Sequence, residues 1–333
     1  MNIYVSMIRS ETTDSFFTKE NIRRLESLGE VIWNQDTSGK ISPAELRDRL
    51  EGVDVLFCGW GCPALTAEVL EKADKLKLVC YTAGSVANLV TEEMYQRGIR
   101  IVCGNEAFAI SVAEGALTHI LASQRHFAAF DCRNIQGGWK TPSTAAHSLL
   151  GKTVGIVGYG GVARHLMTML KPFQVKVKLF SNHTTEEQAA ELGVQMTDLE
   201  EVFSTCDIIS LHCAKSEKNY HLIGEELLGK MQQDALLVNT SRGDVIDEEA
   251  LVRHIQSGHI RASLDVYENE PLAVEHPLRD LGWRVNLQPH LGGPTIDYRY
   301  AAARLVIDDL KRFQDGEPLQ NEILPWRAKM MTK

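Results

Sequence analysis

Cysteine is sparse and unpatterned in this chain: seven residues, an odd number, scattered from Cys58 to Cys213. That argues against a disulfide-stapled scaffold and fits reduced thiols in a cytoplasmic protein. Cys58 and Cys62 stand at a metal-like spacing, but no second Cys/His pair accompanies them. They read as small buried thiols at a strand end, and no metal is expected. Long hydrophobic runs are missing too. No uncharged stretch approaches the roughly 20 residues of a membrane helix. The start, Met1-Asn2-Ile3-Tyr4-Val5-Ser6-Met7, has no basic segment before an apolar one, so it reads as a first strand rather than an export signal. Positive charge is in deficit: 35 Lys and Arg against 44 Asp and Glu give a formal net charge of −9. Phosphates would be repelled, which argues against nucleic-acid and anionic-membrane partners. Tandem repeats and low-complexity tracts are absent as well.

What is present is ordinary globular composition, 44% hydrophobic and 24% charged, in 333 residues. That length exceeds what one core usually holds, so two domains are expected. Short apolar runs alternate with helical patterns throughout, the signature of parallel α/β architecture. Strands are expected at 3–7, 30–34, 53–58, 76–81 and 99–103, with helices at 19–28, 42–50, 66–72 and 91–97. Ser42-Pro43-Ala44-Glu45 has the residues of a capping box, with proline at the first helical position. A longer helix is expected from Ser111 to about Cys132, ending before the loop signal Gly137-Gly138-Trp139-Lys140-Thr141-Pro142. A second series places strands at 153–157, 175–180, 207–211, 235–239, 260–266 and 285–287. The last helix, about 296–314, closes at Gly316 and has no strand of its own, so the chain is expected to return to its first domain. The fold class is then α/β with two Rossmann-like parallel-sheet domains. A flavodoxin-like substrate domain takes residues 1–111 and 294–333, and a dinucleotide-binding domain, 112–293, is inserted into it. Two linkers would form a hinge over a cleft.

Gly158-Tyr159-Gly160-Gly161-Val162-Ala163 follows an apolar run and opens an amphipathic one. Gly158 and Gly160 allow a tight turn and close approach to a pyrophosphate; the helix from Val162 aims its free N–H groups at it, and Ala163 is small enough for close packing. The next strand should end in the residue that reads the adenosine ribose. Here stand Ser181, Asn182 and His183. No carboxylate is present to repel a 2′-phosphate, and all three can hydrogen-bond one, but no arginine clamps it. The cofactor is therefore NAD(P)H with a tilt toward NADP(H); the plainer alternative is a loop that leaves NAD(H) to bind through its hydroxyls.

Three later segments supply a guanidinium, a carboxylate and an imidazole: Asn239-Thr240-Ser241-Arg242-Gly243, Asp265-Val266-Tyr267-Glu268-Asn269-Glu270-Pro271 and Gln288-Pro289-His290-Leu291-Gly292-Gly293. Arg242 can hold an acid by charge-assisted hydrogen bonds, His290 can donate a proton, and Glu270 beside it would favour the imidazolium. Taken singly, Arg242 could cap a strand end, Glu270-Pro271 could be a turn, and most of eleven histidines do no chemistry. All three follow expected strand ends, where open α/β sheets put their sites.

From about Val53 to Asn321 the chain resembles the D-2-hydroxyacid dehydrogenases, among them phosphoglycerate, glyoxylate/hydroxypyruvate and D-lactate dehydrogenases. The likeness rests on the glycine turn, Leu211-His212-Cys213-Ala214, the three segments above and Gly316-Glu317-Pro318-Leu319-Gln320-Asn321. It implies a 2-keto acid reductase in which Arg242 binds substrate, His290 is the acid/base and Glu270 its partner. It further implies that Asp265 faces the nicotinamide and that Gly161, Val162, Cys213, Thr240, Ser241, Gly292 and Gly293 line the cofactor. Gly84, Ser85 and Val86 resemble the loop whose amides hold the substrate carboxylate, although Ala87 departs from the acidic residue common there. Trp60, between two glycines after a strand, either shapes the substrate pocket or packs at the hinge. A homodimer is expected through the helix from Ser111 and the loop around 138–148. Formate dehydrogenases share the fold but carry glutamine in the Glu270 role. The alternative from another class is a cofactor-sensing binding protein like the C-terminal-binding-protein corepressors, which lacks support from any basic or disordered tail here.

Overall fold

The computed structural model describes residues 1–36, 40–141 and 145–331. Pro142 of the loop signal, and part of the loop expected to carry dimer contacts, lie outside the described residues. Two compact units emerge, Met1–Phe108 with Pro294–Lys333, and Ala109–Gly293.

The first unit holds five parallel strands: β1 (Asn2–Val5), β2 (Glu30–Trp33), β3 (Val55–Cys58), β4 (Leu78–Tyr81) and β5 (Arg100–Cys103). Their order is β2-β1-β3-β4-β5. β3 and β4 are buried at every residue, as continuous apolar runs are when both sheet faces are covered. Ser42 and Glu45 form the reciprocal capping box of helix Pro43–Arg49. The last long helix, Ile296–Asp315, ends at Gly316 in the left-handed region and packs Ala302, Ala303, Val306, Ile307 and Leu310 into this unit's core.

The second unit holds seven parallel strands: β6 (Thr153–Val157), β7 (Lys176–Phe180), β8 (Gln195–Met196), β9 (Ile208–Leu211), β10 (Leu236–Asn239), β11 (Arg261–Leu264) and β12 (Val285–Leu287). The order is β12-β11-β10-β9-β6-β7-β8, with a separate apolar cluster on each face.

Two expected helices come out differently. At 66–72 the chain forms turns: the Leu70 N–H reaches the Thr66 carbonyl, but Glu71 and Ala73 bond only three residues back. The Leu70 carbonyl, which a continuing helix would offer to Asp74, instead accepts from the Ala73 N–H and from Arg97 Nη1 at 2.6 Å. The helix expected from Ser111 to Cys132 begins earlier and is two helices, Asn105–Gln124 and Phe127–Ile135. His126 between them adopts φ +49°, and its ring meets Trp283 edge-on at 4.9 Å. Tertiary packing there overrides a periodicity that runs on unbroken.

Candidate active site

The glycine turn stands where the order of the second sheet reverses, with β7 on one side of β6 and β9 on the other. Crevices beyond the strand ends at such points are where open α/β sheets bind ligands. Gly158 has φ +95°, and a Cβ there would stand 2.8 Å from the His212 carbonyl oxygen, so both conformation and space exclude a side chain. Gly160 is the N-cap of helix Gly161–Leu170 and provides no side-chain cap. The first N–H groups of this ten-residue helix are thus offered, with the positive end of its dipole, to an anion. A Cβ on Gly160 would meet nothing within 4 Å, whereas one on Gly161 would touch the Ala109 methyl at 3.0 Å. Val162 is half-buried, and Ala163 is buried against the sheet.

Past β7, the Ser181 hydroxyl accepts from the His183 N–H at 3.2 Å and from the Thr184 hydroxyl at 2.9 Å. Asn182 and His183 are exposed. Past β9, the Cys213 thiol reaches the Val157 carbonyl at 3.5 Å, and burial pushes it up to about 11; it is a neutral wall, not a nucleophile. Thr240, past β10, is 8% exposed, yet its hydroxyl has no hydrogen-bond partner. An orphaned buried hydroxyl and an open glycine cradle at the strand ends fit a dinucleotide.

Arg242 follows on the same loop. Asn239 holds that loop by both ends of its amide: Nδ2 donates to the Arg242 carbonyl at 2.8 Å, and Oδ1 accepts from Ser241 N–H and Oγ at 3.0 and 2.8 Å. The guanidinium donates to the Ser241 carbonyl at 2.7 Å and, among the described residues, forms no ion pair. Gly243 is pressed against the next strand-end loop so closely that a Cβ would lie 1.8 Å from the Tyr267 carbonyl carbon and 2.4 Å from the Glu268 nitrogen.

That second loop presents Glu270, whose Oε1 accepts from the Tyr267 N–H at 3.0 Å and whose Oε2 lies 2.7 Å from His290 Nδ1. His290 sits in the left-handed region at φ +55°, a conformation a non-glycine residue keeps only when its surroundings impose it. The imposing group is Asp265 at the end of β11. Its carboxylate, 2% exposed, accepts from the N–H groups of Leu291 and Gly292 at 2.7 and 2.8 Å. A Cβ on Gly292 would stand 2.6 Å from Asp265 Oδ2, and one on Gly293 2.8 Å from Val112. Asp265 therefore acts first as a clamp on the loop behind His290. Tyr267, Glu270, Leu272, Arg279, Leu287 and His290 help line a cavity of about 550 Å3.

In the first unit, Trp60 follows β3 and is 49% exposed. Gly84, Ser85 and Val86 follow β4, with Ser85 Oγ accepting from the Ala87 N–H at 3.3 Å. The Val86 side chain is fully buried, so only its backbone is available to a ligand.

Sequence reasoning named Arg242, Glu270 and His290 but not the groups that hold their loops, Asn239, Gly243 and Tyr267, nor a separate pair, His221 Nε2 and Glu268 Oε1, 3.0 Å apart. Only Asn239 had a local signal, since asparagine two residues before serine favours an Asx turn. Among the described residues no helix is long and apolar enough to cross a membrane, and no group of three His, Cys, Asp or Glu could hold a metal ion.

Residues 117–292 match the profile of the D-isomer specific 2-hydroxyacid dehydrogenase NAD binding domain. A D-3-phosphoglycerate dehydrogenase of Methanocaldococcus jannaschii is 31% identical over 95% of this chain, which spans 59% of that protein's length. A glyoxylate reductase of Pyrococcus furiosus is 32% identical over 90% of both chains. The crystal structure of a phosphoglycerate oxidoreductase from Rhizobium etli superposes with a TM-score of 0.82 at 27% identity, covering 96% of this chain and 97% of that one.

Proposed function

Because the chain belongs to the D-isomer-specific 2-hydroxyacid dehydrogenase family, we propose that it is an NAD(P)H-dependent reductase of a small 2-keto acid. The observation that carries this reading is the 2.7 Å contact between Glu270 Oε2 and His290 Nδ1, which leaves Nε2 to donate a proton. When bound, the nicotinamide supplies a hydride to the carbonyl carbon. The cradle from Gly158 to Ala163 holds the pyrophosphate, and Cys213, Thr240, Ser241, Asp265, Gly292 and Gly293 line the rest of the cofactor. Arg242 donates to the carboxylate or carbonyl oxygen and fixes the face that is reduced. As negative charge grows on that oxygen, His290 protonates it through Nε2, while Glu270 holds the ring through Nδ1. Backbone amides of Gly84, Ser85 and Val86 take the substrate carboxylate.

The absence of a carboxylate at Ser181, Asn182 and His183 supports NADP(H) over NAD(H). Seven free cysteines support a reducing, cytoplasmic setting. A homodimer is supported by helix Phe127–Ile135, which buries no residue and exposes Phe127 by 69% and Ile135 by 78%, with Trp139 71% exposed nearby in sequence. A monomer by light scattering would remove the dimer from this reading. The reaction itself is tested by following NADPH and NADH oxidation with glyoxylate, hydroxypyruvate, pyruvate and bulkier 2-keto acids. Turnover establishes it; tight cofactor binding with no turnover on any acid moves the protein to a cofactor sensor.

A further inference from the structure

Four strands of the second sheet also begin around one cavity. Lys152, Asp207, Ala235 and Arg261 stand at or just before the first residues of β6, β9, β10 and β11, and all four line a space of about 140 Å3. Gln124, the last residue of helix Asn105–Gln124, and Asp234, in the loop that leads into β10, line it too. Strands of four or five residues put this end of the sheet roughly 15 Å from the loops assigned to the cofactor.

The groups around this cavity are not all met. Asp207 accepts from Lys152 Nζ at 2.6 Å and from the Thr153 N–H at 2.9 Å. Asp234 accepts from Arg284 Nη1 at 3.0 Å. Arg261 is left over. It is 7% exposed, and its guanidinium donates only to main-chain carbonyls, from Nε to Asp234 at 3.1 Å and from Nη1 to Ser123 at 3.2 Å. Among the described residues it forms no ion pair. Burial lowers its pKa from the ordinary arginine value, which Asp234 opposes and Arg284 reinforces. Gln124 is 2% exposed, and among the described residues its side-chain amide makes no hydrogen bond, a state that buried polar side chains rarely keep. A buried cation without a counter-ion and a buried amide without a partner thus line one space. Its volume is several times the share of one water in the liquid, enough for a phosphate group and too little for a nucleotide.

We propose that this cavity is a second anion site, separate from the glycine cradle, and that it takes a phosphate group, free or as the head of a small monoester. Arg261 Nη2, which neither carbonyl uses, and Gln124 Nε2 donate to the phosphate oxygens. Lys152 keeps Asp207 neutralised, so that no uncompensated carboxylate faces the ion. The bound anion supplies the charge that Arg261 lacks and ties the start of β11 to the end of helix Asn105–Gln124. Because it binds only the folded chain, it stabilises the second unit. None of this rests on the reductase reading.

Calorimetric titration of inorganic phosphate into the full chain tests the site, at constant ionic strength and with saturating NADH or NADPH so that the glycine cradle is filled. We expect saturable binding of one ion per chain and a melting temperature that rises with phosphate. Gln124→Leu should weaken binding about ten-fold, the worth of one hydrogen bond to a charged group. Gln124→Glu keeps the shape and brings a carboxylate to Arg261, so it should abolish both binding and the thermal response. Lys152→Met changes a side chain that is 34% exposed; it leaves Asp207 uncompensated and should weaken binding at least as much, which keeps the test alive if a Gln124 variant fails to fold. Glycerol 3-phosphate binding as tightly as phosphate, or more so, identifies a monoester head group, and binding of phosphate alone identifies the free ion. No saturable binding, or binding that the folded variants leave unchanged, overturns the inference.

Discussion

Past β1 in the first sheet the chain enters helix Glu11–Phe16, whose N-cap Ser10 accepts from the Thr13 N–H. Past β6 in the second it enters helix Gly161–Leu170, whose N-cap Gly160 has no side chain to offer. Both helices begin at a switch point, yet one is six residues long and capped, the other ten and open. The first helix end is therefore closed by a side chain, and the second leaves backbone N–H groups and a dipole open. Histidine is divided just as sharply: all eleven lie in the second unit and none in the first. Two sheets of one architecture become different sites through a few residues beyond the strand ends.

The assignment of chemistry to the second unit breaks most readily at its imidazole. His290→Asn should lower kcat by roughly 10²–10⁴ with cofactor affinity nearly unchanged; a loss below ten-fold in stopped-flow reduction would move the proton donor elsewhere. Gly158→Ala strikes the open helix end. A methyl at φ +95°, 2.8 Å from the His212 carbonyl, should weaken NAD(P)H binding by about 100-fold, or about 2.7 kcal/mol, read by fluorescence titration.

The histidine division gives a third test. Burial holds His212 down to about 4 and lowers His119 and His126 as well. Histidines lowered in the folded state stabilise it above their unfolded value near 6.5. That contribution is lost as pH falls from about 6.5 toward 4, roughly 3 kcal/mol for His212. Hydrogen exchange should thus show the second unit loosening over this range while the first holds, and His212→Asn should flatten the response. Equal loosening of both units would contradict it. The smallest effect sharpens the contrast between the caps: Ser10→Ala should cost about 1 kcal/mol of stability and leave the cofactor dissociation constant alone.

Much of the framework was legible in the sequence for local reasons. β6 and β12 fall at the expected residues because short apolar runs there are bounded by turn formers. The Ser42 capping box needs only four consecutive residues. What was not legible depends on contacts between distant segments. Nothing near Asp265 tells that its carboxylate closes on amides 26 and 27 residues later, and nothing near Gly243 tells that the Tyr267 backbone lies against it. His126 shows the same limit in the fold, since its helix break answers to Trp283. Arg242, Glu270 and His290 were visible as residue types; the restraint of their loops was a tertiary matter.

The contact at Gly243 bears on how such a protein can diverge. With a Cβ placed 1.8 Å from the Tyr267 carbonyl carbon, the arginine-bearing and carboxylate-bearing loops cannot drift apart through small independent changes. A descendant adapting to a new acid inherits that spacing intact. Its innovations would accumulate at exposed side chains, where an exchange disturbs no neighbouring main chain.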